Sequence, residues 1–223
     1  MDKNLLKDAL IKYLAGVVLL AALLFIPAGT VRWRYGWLFM GLLFIPMCAA
    51  GIVMYVKAPD LLRSRLSAKE KESTQQGVIK YSGLMFLAAF IVAGLNERFH
   101  WTSLPETVII AASVVFILAY LMFAEVLKEN AYLSRTIEVV EGQKVVDTGL
   151  YGIVRHPMYS ATLFLFLAMP LILNSLPSFV IMLAYIPIIS VRMKNEEEVL
   201  KKELKGYEEY LQKVRYRVIP FVW

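Results

Sequence analysis

Residues 149–159 hold the side chains of this chain that are best suited to chemistry. The segment reads Gly-Leu-Tyr-Gly-Ile-Val-Arg-His-Pro-Met-Tyr and contains His156, one of only two histidines. Pro157 suits the first turn of a helix, because the N–H group that proline lacks would be unpaired there. A helix start carries free N–H groups and partial positive charge, and Arg155 adds to that charge. We therefore expect His156 to cap a helix whose start favours an anion such as a carboxylate or phosphate.

A second polar group follows an uncharged stretch of 35 residues, 157–191. Arg192 and Glu196 stand four residues apart and share one helix face, whereas Glu197 and Glu198 should point elsewhere. About 20 residues cross a hydrocarbon core, so the 35-residue stretch must fold back on itself. The reversal is marked by residues that break helices or favour turns: Pro170, Asn174, Ser175 and Pro177. Both polar groups then meet on one membrane face, as a pocket with an anion-binding end and an acidic end.

The elements that position these residues are membrane helices. The chain is 59% hydrophobic with a mean hydropathy of +0.60, against about half apolar residues in a soluble domain. Uncharged runs cover 13–31, 35–56, 81–96, 107–124 and 157–191. We predict an all-α, polytopic membrane protein with six transmembrane helices, the last two forming a hairpin. It is one integral membrane domain, 1–223, with four helices in 1–127 and a connector, the hairpin and a C-terminal helix in 128–223.

The basic residues predict the orientation. Lys and Arg in short loops are retained on the cytoplasmic side. With the N-terminus inside, only three of the 24 basic residues lie outside: Arg32, Arg34 and Arg98. Both termini and the 149–159 segment are therefore predicted to be cytoplasmic. The net charge of +6 is assigned to topology and to anionic lipid headgroups, with no nucleic-acid partner. Cys48 is the only cysteine, and no metal site is expected.

The chain after residue 191 predicts an amphipathic helix on the cytoplasmic side, continuing the last membrane helix and ending at Ile219-Pro220. Its apolar residues recur at intervals of three and four: Val199, Leu200, Leu204, Tyr207, Leu211 and Val214. The connector 128–147 is polar with extended tendencies, and Gly142 is expected to turn it. The charged loop 57–77 receives no catalytic role.

The ordered pattern Gly149-x-Tyr151-x-x-x-Arg155-His156-Pro157-x-Tyr159, a hydrophobic hairpin, Glu196-Glu197 and Gly206-Tyr207-x-x-Tyr210 resembles the isoprenylcysteine carboxyl methyltransferase family over roughly residues 125–220. The resemblance implies an integral membrane methyltransferase that binds S-adenosyl-L-methionine between its C-terminal helices and a cytoplasmic cap. A histidine usual in the family is Gln143 here, and a common glycine is Ser160.

The resemblance also implies roles for individual residues. Arg192 falls at the substrate, with Glu196 and Glu197 as its catalytic neighbours. Glu197 is the best match to the family's cofactor-binding glutamate, and Glu196 is the next. The other cofactor-binding residues implied are Gln143, Lys144, Val145, Val146, Tyr151, Arg155, His156, Pro157, Met158 and Tyr159.

The methyl acceptor stays open at this stage. A carboxylate acceptor needs little acid–base help beyond alignment, whereas an amine needs a base, and Glu196 or Glu197 could serve. The acceptor is expected to be lipophilic and to enter from the bilayer. Alternatives are a phospholipid N-methyltransferase or thiol S-methyltransferase, an NADPH-dependent sterol reductase, and a non-enzymatic membrane binding or transport protein. The reductase would need basic residues for a 2'-phosphate, and the connector offers only Arg135 and Lys144.

Overall fold

The computed structural model describes residues 2–67, 73–130, 139 and 142–223, and those residues contain helices and no strand. The N-terminal part contains α1 (Lys3–Ala28), α2 (Arg34–Lys57), the short α3 (Pro59–Ser67), α4 (Ser73–Phe99) and α5 (Glu106–Glu129). After a 3₁₀ turn (Gly149–Gly152) come α6 (Pro157–Ile172), α7 (Leu176–Met182), α8 (Tyr185–Glu203) and α9 (Tyr207–Lys213). The all-α prediction is confirmed.

Five helical segments of the described chain are long and apolar enough to cross a membrane. They are Asn4–Ala28, Arg34–Lys57, Gly77–Phe99, Glu106–Glu129 and Leu176–Glu203, the last comprising α7 and α8. The sixth predicted crossing corresponds to α6, an apolar helix of only 16 residues. A helix of that length spans about 24 Å, less than the roughly 30 Å of a hydrocarbon core. The prediction of a polytopic membrane protein is confirmed, and α6 is its shortest candidate span.

The C-terminal hairpin reverses at the predicted residues. After α6 ends at Ile172, Asn174 adopts a φ of 58°, and the Ser175 side chain caps α7 by accepting from the Ser178 N–H. A second break separates α7 from α8, because Pro187 has no N–H for the Leu183 carbonyl. α8 then continues beyond Arg192 to Glu203, as predicted.

The predicted single amphipathic helix after residue 191 is wrong. The chain leaves α8 after Glu203, and Gly206 takes a φ of 87° that starts the separate helix α9. This left-handed conformation suits glycine, which has no Cβ. α9 ends at Lys213, well before Ile219-Pro220. The apolar spacing nevertheless identified the inward side chains, which form a small buried cluster: Leu204, Tyr207, Tyr210 and Val214.

Polar contacts distinguish the two ends of the bundle. At one end Arg34 pairs with Glu106 at 2.9 Å, which joins the starts of α2 and α5. At the other end the Tyr55 hydroxyl donates to the main-chain oxygen of Asp2 at 3.3 Å, and Lys12 Nζ donates to the Leu66 carbonyl at 2.7 Å. These contacts join the start of α1 to the end of α2 and to α3. The end of α5 and the start of α6 lie at this second end, which we call the site end.

Candidate functional site

The last residues of α5 hold the 3₁₀ turn that precedes α6. The Glu129 carboxylate accepts the Leu150 N–H at 3.0 and 3.2 Å through its two oxygens. Gly149 has a φ of 53°, and a Cβ at that position would collide with the Glu129 carboxylate. The approach of α5 to the turn therefore depends on glycine at this position.

Tyr151, in the 3₁₀ turn, is fixed at both its hydroxyl and its backbone. Asn130 Nδ2 donates to the Tyr151 hydroxyl at 3.0 Å, and the Tyr210 hydroxyl donates to the Tyr151 carbonyl at 2.7 Å. Burial is the main cause that raises the pKa of Tyr151 to about 12. The hydroxyl thus stays protonated at neutral pH. Because it accepts from Asn130, its hydrogen can be donated to another group.

The start of α6 differs from the expected open anion site. His156 occupies the N-cap position, but its side chain makes no capping hydrogen bond, so the predicted capping role is wrong for the imidazole. The N–H groups of Arg155 and His156 instead donate to the carbonyls of Tyr216 and Arg217, each at 2.9 Å. Main-chain N–H groups that were expected to face an anion therefore donate to carbonyls of the segment after α9.

Tyr159 joins the two polar groups that the sequence places at the ends of the hairpin. Its hydroxyl accepts from Arg192 Nε at 2.9 Å and donates to Glu196 Oε2. Arg192 and Glu196 are one turn apart on α8, so a single hydroxyl from α6 reaches both. The shared face predicted for this pair is confirmed, and the two helices contact each other through polar groups at the site end.

Glu197 also points into the site, contrary to the expectation that it would point elsewhere. Its side chain is only 4% exposed, and it accepts His156 Nε2 at 3.2 Å and pairs with Arg155 Nη1 at 3.2 Å. Arg217 contributes two further contacts, Nη2 at 2.8 Å and Nε at 3.3 Å. The buried carboxylate is satisfied by cationic and imidazole groups from two other segments. Arg155 therefore faces a carboxylate of its own chain.

The geometry around His156 defines which ring nitrogen carries hydrogen. Ionised Glu197 only accepts hydrogen bonds, so Nε2 is the donor in both protonation states of the ring. The other nitrogen, Nδ1, stands 4.0 Å from Glu196 Oε1. The Glu196 side chain is 24% exposed, and its hydrogen bond to Tyr159 is made by the other oxygen, Oε2. Glu196 is thus the carboxylate with an oxygen accessible to a ligand.

Arg155 also contains a buried donor that needs an acceptor. Its Nε atom is buried and has no hydrogen-bond partner within the described residues. An unpaired buried donor of this kind is costly, and a ligand oxygen would satisfy it. Together with the accessible oxygen of Glu196, the site offers both a donor and an acceptor. This pair of groups fits a zwitterionic ligand, whose carboxylate would accept from Arg155 and whose ammonium group would donate to Glu196.

The connector residues predicted to bind cofactor form part of a cap over the site end. Val145 packs against the buried cluster of α9, and Asp147 pairs with Lys213 at 2.6 Å. The hydrogen bond to the Lys213 ammonium lowers the pKa of Asp147. Lys144 is exposed, and Gln143 and Val146 are half-buried. The predicted turn at Gly142 is confirmed by its φ of 77°.

Some residues predicted to bind the cofactor are not among the ion-paired residues Arg155, His156, Glu197 and Arg217, which we call the ion cluster. Met158 packs against the main apolar core. Pro157 is buried at the first position of α6. Arg135 lies outside the described residues, and in the described part no group of His, Cys, Asp or Glu is arranged to hold a metal.

Sequence reasoning missed three residues that organise the site: Arg217, Glu129 and Asn130. Glu129 and Asn130 directly follow an apolar span, and a polar pair at a membrane boundary was a usable signal. Arg217 is 20 residues from Glu197, and no helical spacing relates two residues across the break at Gly206. Only the tertiary structure shows that contact.

Two comparisons with known proteins bear on this site. The mouse (Mus musculus) protein Delta(14)-sterol reductase TM7SF2 is 31% identical over 91 residues, which are 40% of this chain but only 22% of that protein's length. A family model described as Phospholipid methyltransferase matches residues 107–206, which are 100 of the 223. That segment includes Tyr151, His156 and Glu197 and ends before Arg217. Residues 107–206 are therefore similar to the phospholipid methyltransferases, a family of membrane methyltransferases.

Proposed function

We propose that this protein is an S-adenosyl-L-methionine-dependent methyltransferase that methylates a lipophilic acceptor at the cytoplasmic face of the membrane. The observation that carries the proposal is the combination, at the site end, of the partly exposed carboxylate of Glu196 with the Nε donor of Arg155, which is buried and unpartnered among the described residues. The similarity of residues 107–206 to membrane methyltransferases supports the same reaction class.

The donor set suits this cofactor. S-adenosyl-L-methionine supplies an electrophilic methyl group on a sulfonium, together with a carboxylate, an ammonium group and a ribose diol. Glu196 would accept from the ammonium or the diol, and Arg155 Nε would donate to the carboxylate. The Tyr151 hydroxyl would donate to a further oxygen. These residues would bind and orient the cofactor, and alignment with exclusion of water accounts for most of the catalysis expected.

The acceptor we propose carries its reactive group at the membrane boundary. Arg192 would hold an anionic group of the acceptor, such as the carboxylate of a prenylcysteine. With a phospholipid amine as acceptor, Glu196 would serve as the base. A thiol acceptor would need only alignment. All three acceptors share a lipid tail, which would reach a site at the end of the hairpin from within the bilayer.

A second candidate function has one specific observation in its favour. The similarity to the mouse sterol reductase makes reduction of a sterol with NADPH the second candidate function. A 2'-phosphate requires clustered basic groups. Of the basic residues considered for that role, Arg155 already pairs with Glu197 and Lys144 is exposed, so we rank the methyltransferase first.

Calorimetry of the detergent-purified protein with S-adenosylhomocysteine and with NADPH separates the two functions. We expect S-adenosylhomocysteine to bind and NADPH to give no heat. Glu196→Gln should weaken S-adenosylhomocysteine binding about tenfold or more, as a charge-assisted hydrogen bond contributes about 1.5–3 kcal/mol. Glu198→Gln is the matched control, because Glu198 is adjacent and exposed. Tight NADPH binding without S-adenosylhomocysteine binding would reject the methyltransferase in favour of the reductase.

A further inference from the structure

The segment after α9 is bound directly to the start of α6. The carbonyls of Tyr216 and Arg217 accept the N–H groups of Arg155 and His156, and the Val218 carbonyl accepts the Ser160 hydroxyl at 2.6 Å. These bonds hold three consecutive carbonyls, those of residues 216–218, against Arg155, His156 and Ser160. The backbone that carries the Arg217 side chain is therefore fixed relative to His156.

The same segment is also closed upon itself. The N–H groups of Arg217, Val218 and Ile219 all donate to the main-chain oxygen of Trp223, at 3.0, 2.9 and 3.0 Å. Val218 is buried, and the side chain of Trp223 packs against the main core. Residues 217–223 thus form a compact loop that fixes the backbone of Arg217.

We propose that Arg217 is a positioning residue of the site, acting through Glu197. The inference rests on the methyltransferase function proposed above. Arg217 reaches both oxygens of Glu197, Nη2 to Oε2 and Nε to Oε1, whereas Arg155 reaches one oxygen at 3.2 Å. The two-point contact fixes the plane of the carboxylate, as a planar guanidinium does and an ammonium cannot.

Fixing Glu197 has a consequence for the ligand side of the site. Glu197 Oε1 also accepts His156 Nε2, so the carboxylate plane determines the position of the imidazole. The opposite nitrogen of that ring, Nδ1, lies near the accessible oxygen of Glu196. Arg217 therefore sets the distance between the two groups that would face a bound ammonium or hydroxyl, without contacting the ligand itself.

Because Glu197 is buried, we expect the loss of its contact with Arg217 to be energetically costly. A buried carboxylate that loses one of its cationic partners remains desolvated and is only partly neutralised. Glu197 is 4% exposed at its side chain, and Arg217 is 33% exposed. Removing Arg217 should let Glu197 turn toward Arg155 and take His156 with it, so the site should lose ligand affinity even though no ligand contact has been deleted.

The first test compares S-adenosylhomocysteine affinity among single variants by calorimetry. Arg217→Met should weaken binding about tenfold, a typical coupling between residues in one charged network. Arg217→Lys should recover part of that loss, because a lysine keeps the charge but not the two-point contact. Arg215→Met is the matched control, since Arg215 is exposed on the same segment, and it should bind within about twofold of the parent. Unchanged affinity in Arg217→Met overturns the proposal.

The second test asks whether Arg217 acts through Glu197. In a Glu197→Gln background, Arg217→Met should add less than about twofold to the loss of affinity, since the partner it positions is already altered. Multiplicative losses would show that Arg217 acts independently and would overturn the proposal. The parent, Arg217→Met, Glu197→Gln and the double variant are then unfolded thermally without ligand. The shifts in their unfolding temperatures are again expected to be non-additive. Additive shifts in unfolding temperature overturn the proposal for Arg217, whether or not the proteins bind S-adenosylhomocysteine. If none of the four proteins binds S-adenosylhomocysteine, the methyltransferase function itself is rejected.

Discussion

A single hydroxyl connects the charged residues that face each other across the hairpin. Tyr159 accepts from Arg192 and donates to Glu196, and the tyrosine is buried. Hydrogen bonds to charged groups are stronger than those between neutral groups, and they fix direction as well as distance. The residue therefore determines how the two ionic side chains of α8 are oriented relative to α6.

We predict that Tyr159→Phe weakens S-adenosylhomocysteine binding about tenfold while the protein remains folded. The substitution removes two hydrogen bonds to charged groups, each contributing about 1.5–3 kcal/mol, but keeps the ring that fills the core. Affinity is measured by calorimetry and folding by thermal unfolding in detergent. The control is Tyr120→Phe, which removes a partly buried hydroxyl bonded to the Leu43 carbonyl at 3.1 Å. Equal affinities in the two variants would contradict the role given to Tyr159.

Residue identities in the motif were predictable, but their partners were not. Arg155, His156 and Tyr159 were identified because a proline at a helix start and a spaced arginine, histidine and tyrosine form a local pattern. The pairing of Arg155 with Glu197 depends on how α6 and α8 pack, which helical spacing does not specify. Glu197 was expected to point elsewhere because helical periodicity describes one helix face and not the groups that surround it.

At the scale of elements, the 3₁₀ turn depends on the end of α5. Glu129 holds the Leu150 N–H, and the absence of a Cβ at Gly149 gives the carboxylate its space. The turn then presents Tyr151 to the site. The end of a long membrane helix thus helps to position a short irregular segment.

We predict that Gly149→Ala lowers the apparent unfolding temperature by several degrees more than Gly142→Ala. Both glycines have positive φ, 53° and 77°, so both variants carry the roughly 1–2 kcal/mol strain of a left-handed residue. Only at Gly149 does the added methyl group also collide with Glu129, and about 1 kcal/mol corresponds to roughly 2–4 °C in a chain of this size. Equal shifts in thermal scans would show that the Glu129 contact does not support the turn.

Long elements were predicted well and short breaks poorly. The uncharged runs located the spanning helices because hydropathy sums over about 20 residues. The reversal near Asn174 was visible in its proline and asparagine residues. The break at Gly206 was missed because the apolar spacing continues through it, although the glycine itself was a signal for a helix end. Arg135 lies outside the described residues, so the extended tendency of that part of the connector stays a prediction.

At the scale of the whole molecule, the site end coincides with the end that carries most of the basic residues. Arg32, Arg34 and Arg98 belong to the opposite end, where Arg34 pairs with Glu106. Exposed apolar side chains cover the outside of α1 and α2, as expected for surfaces that face lipid. By the positive-inside rule, this charge distribution predicts that the site end faces the cytoplasm.

We predict that a membrane-impermeant maleimide added to intact cells labels Val31→Cys and not Lys205→Cys, both made in a Cys48→Ser background. Val31 is exposed at the end opposite the site, and Lys205 is exposed between α8 and α9. Lys205→Cys should react only after the membrane is permeabilised, which also serves as the control for its reactivity. The reverse labelling pattern would show that the site faces the outside, and would leave the geometry of the ion cluster unchanged.

The shortness of α6 has a consequence for how the membrane itself acts on the site. A 16-residue helix falls about 6 Å short of an average hydrocarbon core, while α5 with 24 residues does not. Such hydrophobic mismatch is relieved by local thinning of the bilayer, at a cost that grows with lipid chain length. The headgroup plane would then dip toward Tyr159. Under the proposed function, the acyl-chain length of the host membrane would then set how deeply an acceptor sinks before its reactive group meets the site.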